Sequence, residues 1–182
     1  MVNFSSFLNK SLKRLMVLLP LIVGLILNPI STSALYPSDP SSVDVLKEDL
    51  HGKDLQNTEY VKYDLSGQDL GEANLQGAYM SVTTAKNASF KGANMKDLIA
   101  YATRFDNADL SDANLTNGEL MKSVFDGAII DGADFTDANL DLKTRKSLCE
   151  RATGTNSQTG VNTVDSLECA GLKGYTPPKP KA

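Results

Sequence analysis

Large apolar residues return at every fifth position along the middle of the chain, and the phase never slips. The series runs from Leu50 to Leu140 over 19 positions, and only Ala85 and Ala100 are not large. Two residues before each of these, from 73 to 138, nine of 14 positions are alanine. Thr83, Thr103, Gly118 and Ser123 are small as well, which leaves Leu98 as the bulky exception. An α-helix does not give this pattern, because five residues carry a side chain about 140° around the axis and smear the stripe. A flat strand does not either, because five steps exchange its two faces each time. A chain that turns after every short extended piece fits. Positions two apart then share a face, so the large residue and the small one before it point inward and the other three point outward. In "NADLSDANLT", 107–116, Ala113 and Leu115 are inward, while Asp109, Asp112 and Asn114 are outward. Alanine suits an inward place close to a corner, where a larger side chain would crowd the next coil.

The units "GANMK", "NADLS", "DANLT" and "GADFT" resemble those of pentapeptide-repeat proteins, well over 70–140 and loosely over 49–69. The resemblance implies an all-β fold, a right-handed quadrilateral β-helix with four pentapeptides per coil. The residues alone show period five; period 20 comes from the resemblance. Under period 20 the interior sorts into four columns, with Phe105 and Phe125 stacked in neighbouring coils. Asp106 and Asp126 become vertical neighbours, and Asn74, Asn94 and Asn114 form an outward ladder. Proline is absent from 41 to 176, as stacked coils that need every backbone donor require.

The segments outside the repeats read differently. Lys10, Lys13 and Arg14 precede the apolar run Leu15–Leu27, and "STSA" follows. This is the pattern of a secretory signal peptide over 1–34, cleaved after Ala34. Thirteen apolar residues are short of the roughly 20 a bilayer span needs. Residues 35–48 form an N-terminal cap segment, with 41–50 read as a short helix or turn. The repeats occupy 49–142. "DLKTRKSLCERA" has helical spacing, "TGTNSQTG" reads as a loop, and "VNTVDSLECAGL", 161–172, reads as a second short helix capped by Asn162 or Thr163. These make a C-terminal helical cap over 143–172, followed by a disordered tail over 173–182.

An export signal with two cysteines makes a disulfide between Cys149 and Cys169 the expectation. The end of the chain, "LCERATGTNSQTGVNTVDSLEC", resembles the C-terminal cap of thylakoid-lumen pentapeptide-repeat proteins of cyanobacteria and chloroplasts, and the short single leader fits a cyanobacterium. The resemblance implies an exported location, the thylakoid lumen first and the periplasm second.

Loss of 1–34 leaves 15 basic and 22 acidic residues, a net charge of −7. An acidic chain argues against nucleic acid as a partner and against anionic lipid; membrane contact is expected only through the leader. No catalytic triad, phosphate loop or metal motif is present in the sequence. No catalytic, cofactor-binding or metal-binding residue is therefore assigned. His51 reads as an exposed residue of the first coil. Asp106 and Asp126 could hold a cation or raise each other's pKa, but solvated surface charge is the favoured reading. One face differs: outward positions carry Tyr79, Val82, Ile99, Tyr101 and Met121, with Val61 and Ala102 beside them. Gathered apolar residues of this kind either mark a surface for a protein partner or stabilise the β ladder locally. The reading is a non-catalytic exported scaffold or protein-binding solenoid that needs no cofactor. The alternative implied by the resemblance is a DNA-mimic inhibitor of DNA gyrase, which an export signal disfavours.

Overall fold

The computed structural model describes residues 49–177, within a compact unit spanning Asp44–Ala182. The leader, the expected turn or helix before residue 49 and residues 178–182 lie outside the described residues. From Asp54↔Asn74 to Glu119↔Asn139, isolated parallel bridges join each outward residue to the residue 20 positions on. One coil is therefore 20 residues with four sides. The first side carries Asp54, Asn74, Asn94, Asn114 and Asp134, the second Glu59, Tyr79, Ile99, Glu119 and Asn139. The third carries Asp64, Thr84, Arg104 and Val124, the fourth Asp69, Ser89, Asp109 and Ile129. From the second coil on, a bridge residue both donates and accepts toward the coil before: Asn94 N–H donates to Ala73 O at 2.9 Å, and its carbonyl accepts from Leu75 N–H at 2.7 Å.

Corners are tight turns closed in most repeats by a bond from the fourth residue to the first, such as Ala108 N–H to Phe105 O at 3.0 Å. The third residue of every turn, each fifth residue from Gly52 to Asp137, has positive φ. That conformation favours Gly, Asn and Asp, which explains the outward "N", "D" and "G" of the repeat. At Gly127 the restriction is double. Its φ is +69°, and a Cβ there would stand 2.2 Å from Asn107 Oδ1 in the coil before.

The inward columns are filled by side chains. Leu70, Leu75, Met80, Phe90, Met95, Phe105, Leu110, Leu115 and Leu120 are fully buried, as are the alanines between them. Phe105 and Phe125 stack with centroids 5.1 Å apart and planes 15° apart, as the period-20 columns predicted. Leu98 and Ala100 are both fully buried, so a large and a small residue exchange places within one unit. Leu55 and Tyr63 in the first coil and Leu140 in the last are only half-buried.

The repeats give way to helix α1, Leu142–Cys149, whose N-cap Asp141 accepts from Thr144 N–H at 3.0 Å. The helix thus starts one residue before the expected boundary. Helix α2, Thr163–Ser166, is capped by Asn162, and a 3₁₀ turn, Cys169–Gly171, follows. The single helix expected over 161–172 is broken because Glu168 takes a left-handed φ of 52°. Cys149 and Cys169 are bonded to each other. The start of the expected free tail is engaged: Tyr175 is half-buried against the core and its N–H donates to Leu172 O at 3.1 Å.

The loop 153–160 is a strap laid along the corner between the fourth and first sides. Gly132 N–H donates to Thr153 O at 2.8 Å. The buried Asn156 amide donates to Asp112 O at 3.0 Å, Ala113 O at 3.3 Å and Gly132 O at 2.9 Å. Further on, Gln158 Nε2 reaches Gly92 O at 2.8 Å. The strap therefore touches three successive coils.

Candidate interaction surface

The corner between the second and third sides is built unlike the other three. Its left-handed positions hold Lys62, Val82, Ala102 and Lys122. The others hold Gly, Asn, Asp or, once, Glu72. Val82, β-branched with φ 61°, is in a conformation such residues rarely take. Behind the corner a column of hydroxyls replaces the usual alanines. Thr83 Oγ1 donates to Tyr60 O, Thr103 Oγ1 to Met80 O and Ser123 Oγ to Ala100 O, all buried. Thr103 N–H donates to Ser123 Oγ at 2.9 Å. Sequence reading treated 83, 103 and 123 as merely small. The signal that distinguishes them is a hydroxyl recurring at a spacing of 20 in one column only.

In front of this column Tyr79, Val82 and Tyr101 are 46%, 52% and 41% exposed. Ile99 and Met121 are half-buried, less open than an outward position predicts, as are Val61 and Ala102. Lys122 Nζ sits 5.0 Å from the centre of the Tyr101 ring, a cation–π contact. The structure thus brings Tyr79, Val82, Ile99, Tyr101 and Met121 to one side and its corner. Exposed Ile129, on the fourth side, and Leu142, in α1, stand elsewhere.

The carboxylates are arranged as turn acceptors rather than as a site. Asp109 Oδ1 accepts from Ser111 N–H at 2.9 Å and Asp64 Oδ1 from Ser66 N–H at 3.0 Å. The cation reading of Asp106 and Asp126 is corrected: the Arg104 guanidinium donates to both Asp106 oxygens, at 3.0 and 2.8 Å. Those bonds and the charge behind them hold the Asp106 carboxyl below its usual range instead of raising it. Among the described residues no cluster of His, Cys, Asp and Glu is placed to hold a metal ion. His51 is exposed, with Nδ1 3.4 Å from Asp69. The asparagine ladder forms where Asn94 Nδ2 donates to Asn74 Oδ1 at 2.9 Å. Asp134, expected outward, is buried and accepts from the Thr136 N–H and hydroxyl.

Four carboxyls are held low in the fold: Asp64 by the Ser66 hydroxyl and N–H, Asp69 by Gly71 N–H, Asp106 by Arg104 and Asp141 by Thr144 N–H. A depressed folded pKa stabilises fully above the unfolded value, about 3.9, and that contribution is lost as pH falls through the folded value. The destabilisation caused by Asp106→Asn is accordingly expected to be larger at pH about 7 than at pH about 2. Thermal melts of both proteins at the two pH values check this, and an equal gap at both would show that the carboxylate charge is irrelevant.

The repeats thus build a four-sided β-solenoid with a side-chain-filled interior and an apolar corner between the second and third sides. Residues 64–97 and 103–141 match the family of pentapeptide repeats in eight copies, and that stretch of the chain is built of pentapeptide repeats. Its repeats make the quadrilateral β-helix of that family. The chain is 58% identical over 43 residues to the chloroplastic thylakoid lumenal protein TL20.3 of Arabidopsis thaliana. That match covers 24% of this chain and 15% of the relative's length. A solved pentapeptide repeat protein from the Arabidopsis thaliana thylakoid lumen is 28% identical, with 78% of this chain and 100% of that chain covered and a TM-score of 0.30. HetL, a pentapeptide repeat protein involved in heterocyst differentiation regulation in the cyanobacterium Nostoc, is 21% identical, with 49% of each chain covered and a TM-score of 0.31.

Proposed function

We propose that this chain is an exported, non-catalytic scaffold of the thylakoid lumen that binds protein through the corner carrying Tyr79, Val82, Ile99, Tyr101 and Met121. The observation that carries the reading is that corner: three exposed apolar residues, one of them a left-handed valine, sit together on an acidic surface where Ile129 and Leu142 stand singly. Strained backbone kept at an exposed position points to function, and aromatic and Met side chains are favoured at interface centres. The leader and the likeness to thylakoid lumenal proteins support the location.

The strain supplies the experiment. Val82→Asn places a residue that accepts positive φ and removes the apolar side chain. It is expected to raise stability by about 1 kcal/mol while weakening partner capture, and Tyr101→Ser is expected to weaken capture with the fold intact. Chemical denaturation and pull-down from the membrane fraction read the two effects. Full capture by both variants would show that the corner binds nothing.

A further inference from the structure

The second side and its corner with the third pair off row by row: Glu59 with Lys62, Tyr79 with Val82, Ile99 with Ala102, and Glu119 with Lys122. The two columns are complementary to each other. A two-fold axis drawn between them, parallel to the stack of coils, places each residue of one column against its counterpart in the other column of a second copy. We infer that the occupant of this surface is a second copy of this chain, lying parallel and side by side in a symmetric dimer. The inference rests on the surface reading above and names its partner.

Self-complementarity is what a two-fold interface demands, since the same patch serves both subunits. Here the acidic end residues Glu59 and Glu119 would meet the partner's Lys62 and the partner's Lys122, and the apolar rows would close between them. The overall charge selects this side. Residues 49–177 hold 12 basic and 19 acidic residues, so most approaches of two copies are repulsive. The second side and its corner with the third are balanced: Glu59 and Glu119 against Lys62 and Lys122. This is where two such chains meet without a charge penalty. The strip is four coils tall, about 20 Å at strand spacing. It lies at the small end of specific interfaces, so a weak, salt-sensitive dimer is expected.

The test uses the protein purified from its own membrane fraction, or the same processed chain carrying substitutions, in sedimentation velocity from about 1 μM to about 1 mM. The wild type is expected to shift from monomer to dimer over that range. Glu119→Lys alone and Lys122→Glu alone are each expected to weaken self-association at least about tenfold, because like charges face across the axis. A mixture of the two variants is expected to recover the dimer, because each then supplies what the other lacks. Circular dichroism shows that both stay folded. A wild type that remains monomeric throughout, or a mixture no better than either variant, overturns the inference. If the wild type is monomeric yet Tyr101→Ser loses capture of another lumenal protein, the surface stands and self-pairing falls. If the wild type is monomeric and both Tyr101→Ser and Val82→Asn capture everything the wild type does, both readings fall. Vesicles of anionic lipid binding the wild type and not Tyr101→Ser would reassign the corner to a membrane.

Discussion

Asn156→Ala is expected to cost about 3 kcal/mol, from three lost amide bonds at roughly 1 kcal/mol each. The amide joins carbonyls of Asp112, Ala113 and Gly132, and its removal leaves acceptors buried behind the strap. Solenoids are usually additive from neighbour to neighbour, so damage at one end stays there. This strap reaches Gly92 through Gln158, and the damage should travel with it. Hydrogen exchange in the variant is expected to rise at Gly92, Asp112 and Gly132 together, Gly92 lying one coil beyond those the lost side chain touches. An increase confined to 150–162 would show that the strap is only a local loop.

Leu110→Ala is expected to cost about 2–5 kcal/mol. Leu110 is fully buried and belongs to the column of Leu50, Leu70, Phe90 and Ile130. The neighbours cannot easily close the gap, because their backbone is tied to the next coil, as by Phe90 N–H to Asp109 O at 2.7 Å. The wide range reflects how far a site can relax, and this lattice places Leu110 toward its upper end. Equilibrium denaturation measures it; a loss under about 1 kcal/mol would mean that the column is loosely packed.

The fold was legible because a single rule repeats. An inward pair and three outward residues, kept in phase from Leu50 to Leu140, leave no other regular conformation, and the stacking of Phe105 on Phe125 followed from the period. The surface was legible only in part. Tyr79, Val82 and Tyr101 are exposed as their positions imply, but Ile99 and Met121 are half-covered by neighbours that a period does not describe. The pairing of Arg104 with Asp106 was missed because the two lie along one coil, whereas attention to the column set Asp106 against Asp126. The strap escaped altogether. "TGTNSQTG" has the composition of a loop, and the carbonyls that hold it are 24 to 66 residues away. Nothing local records that Asn156 is buried. The broken second helix has a similar cause, since Glu168 leaves the helical region in a segment whose spacing favours continuing.

Gly92, Asp112 and Gly132 occupy one corner only because they are 20 residues apart, and the strap engages all three. Insertion or loss of a single five-residue unit between 93 and 131 would turn everything beyond it by a quarter revolution and carry at least one of these anchors to another edge. The repeat that can be copied by a small slip in the gene is the pentapeptide, yet the length that this protein can gain or shed there without unseating its strap is a whole coil. Descendants of this chain should therefore differ in that stretch by 20 residues or not at all, while coils added ahead of Gly92 leave the strap in register.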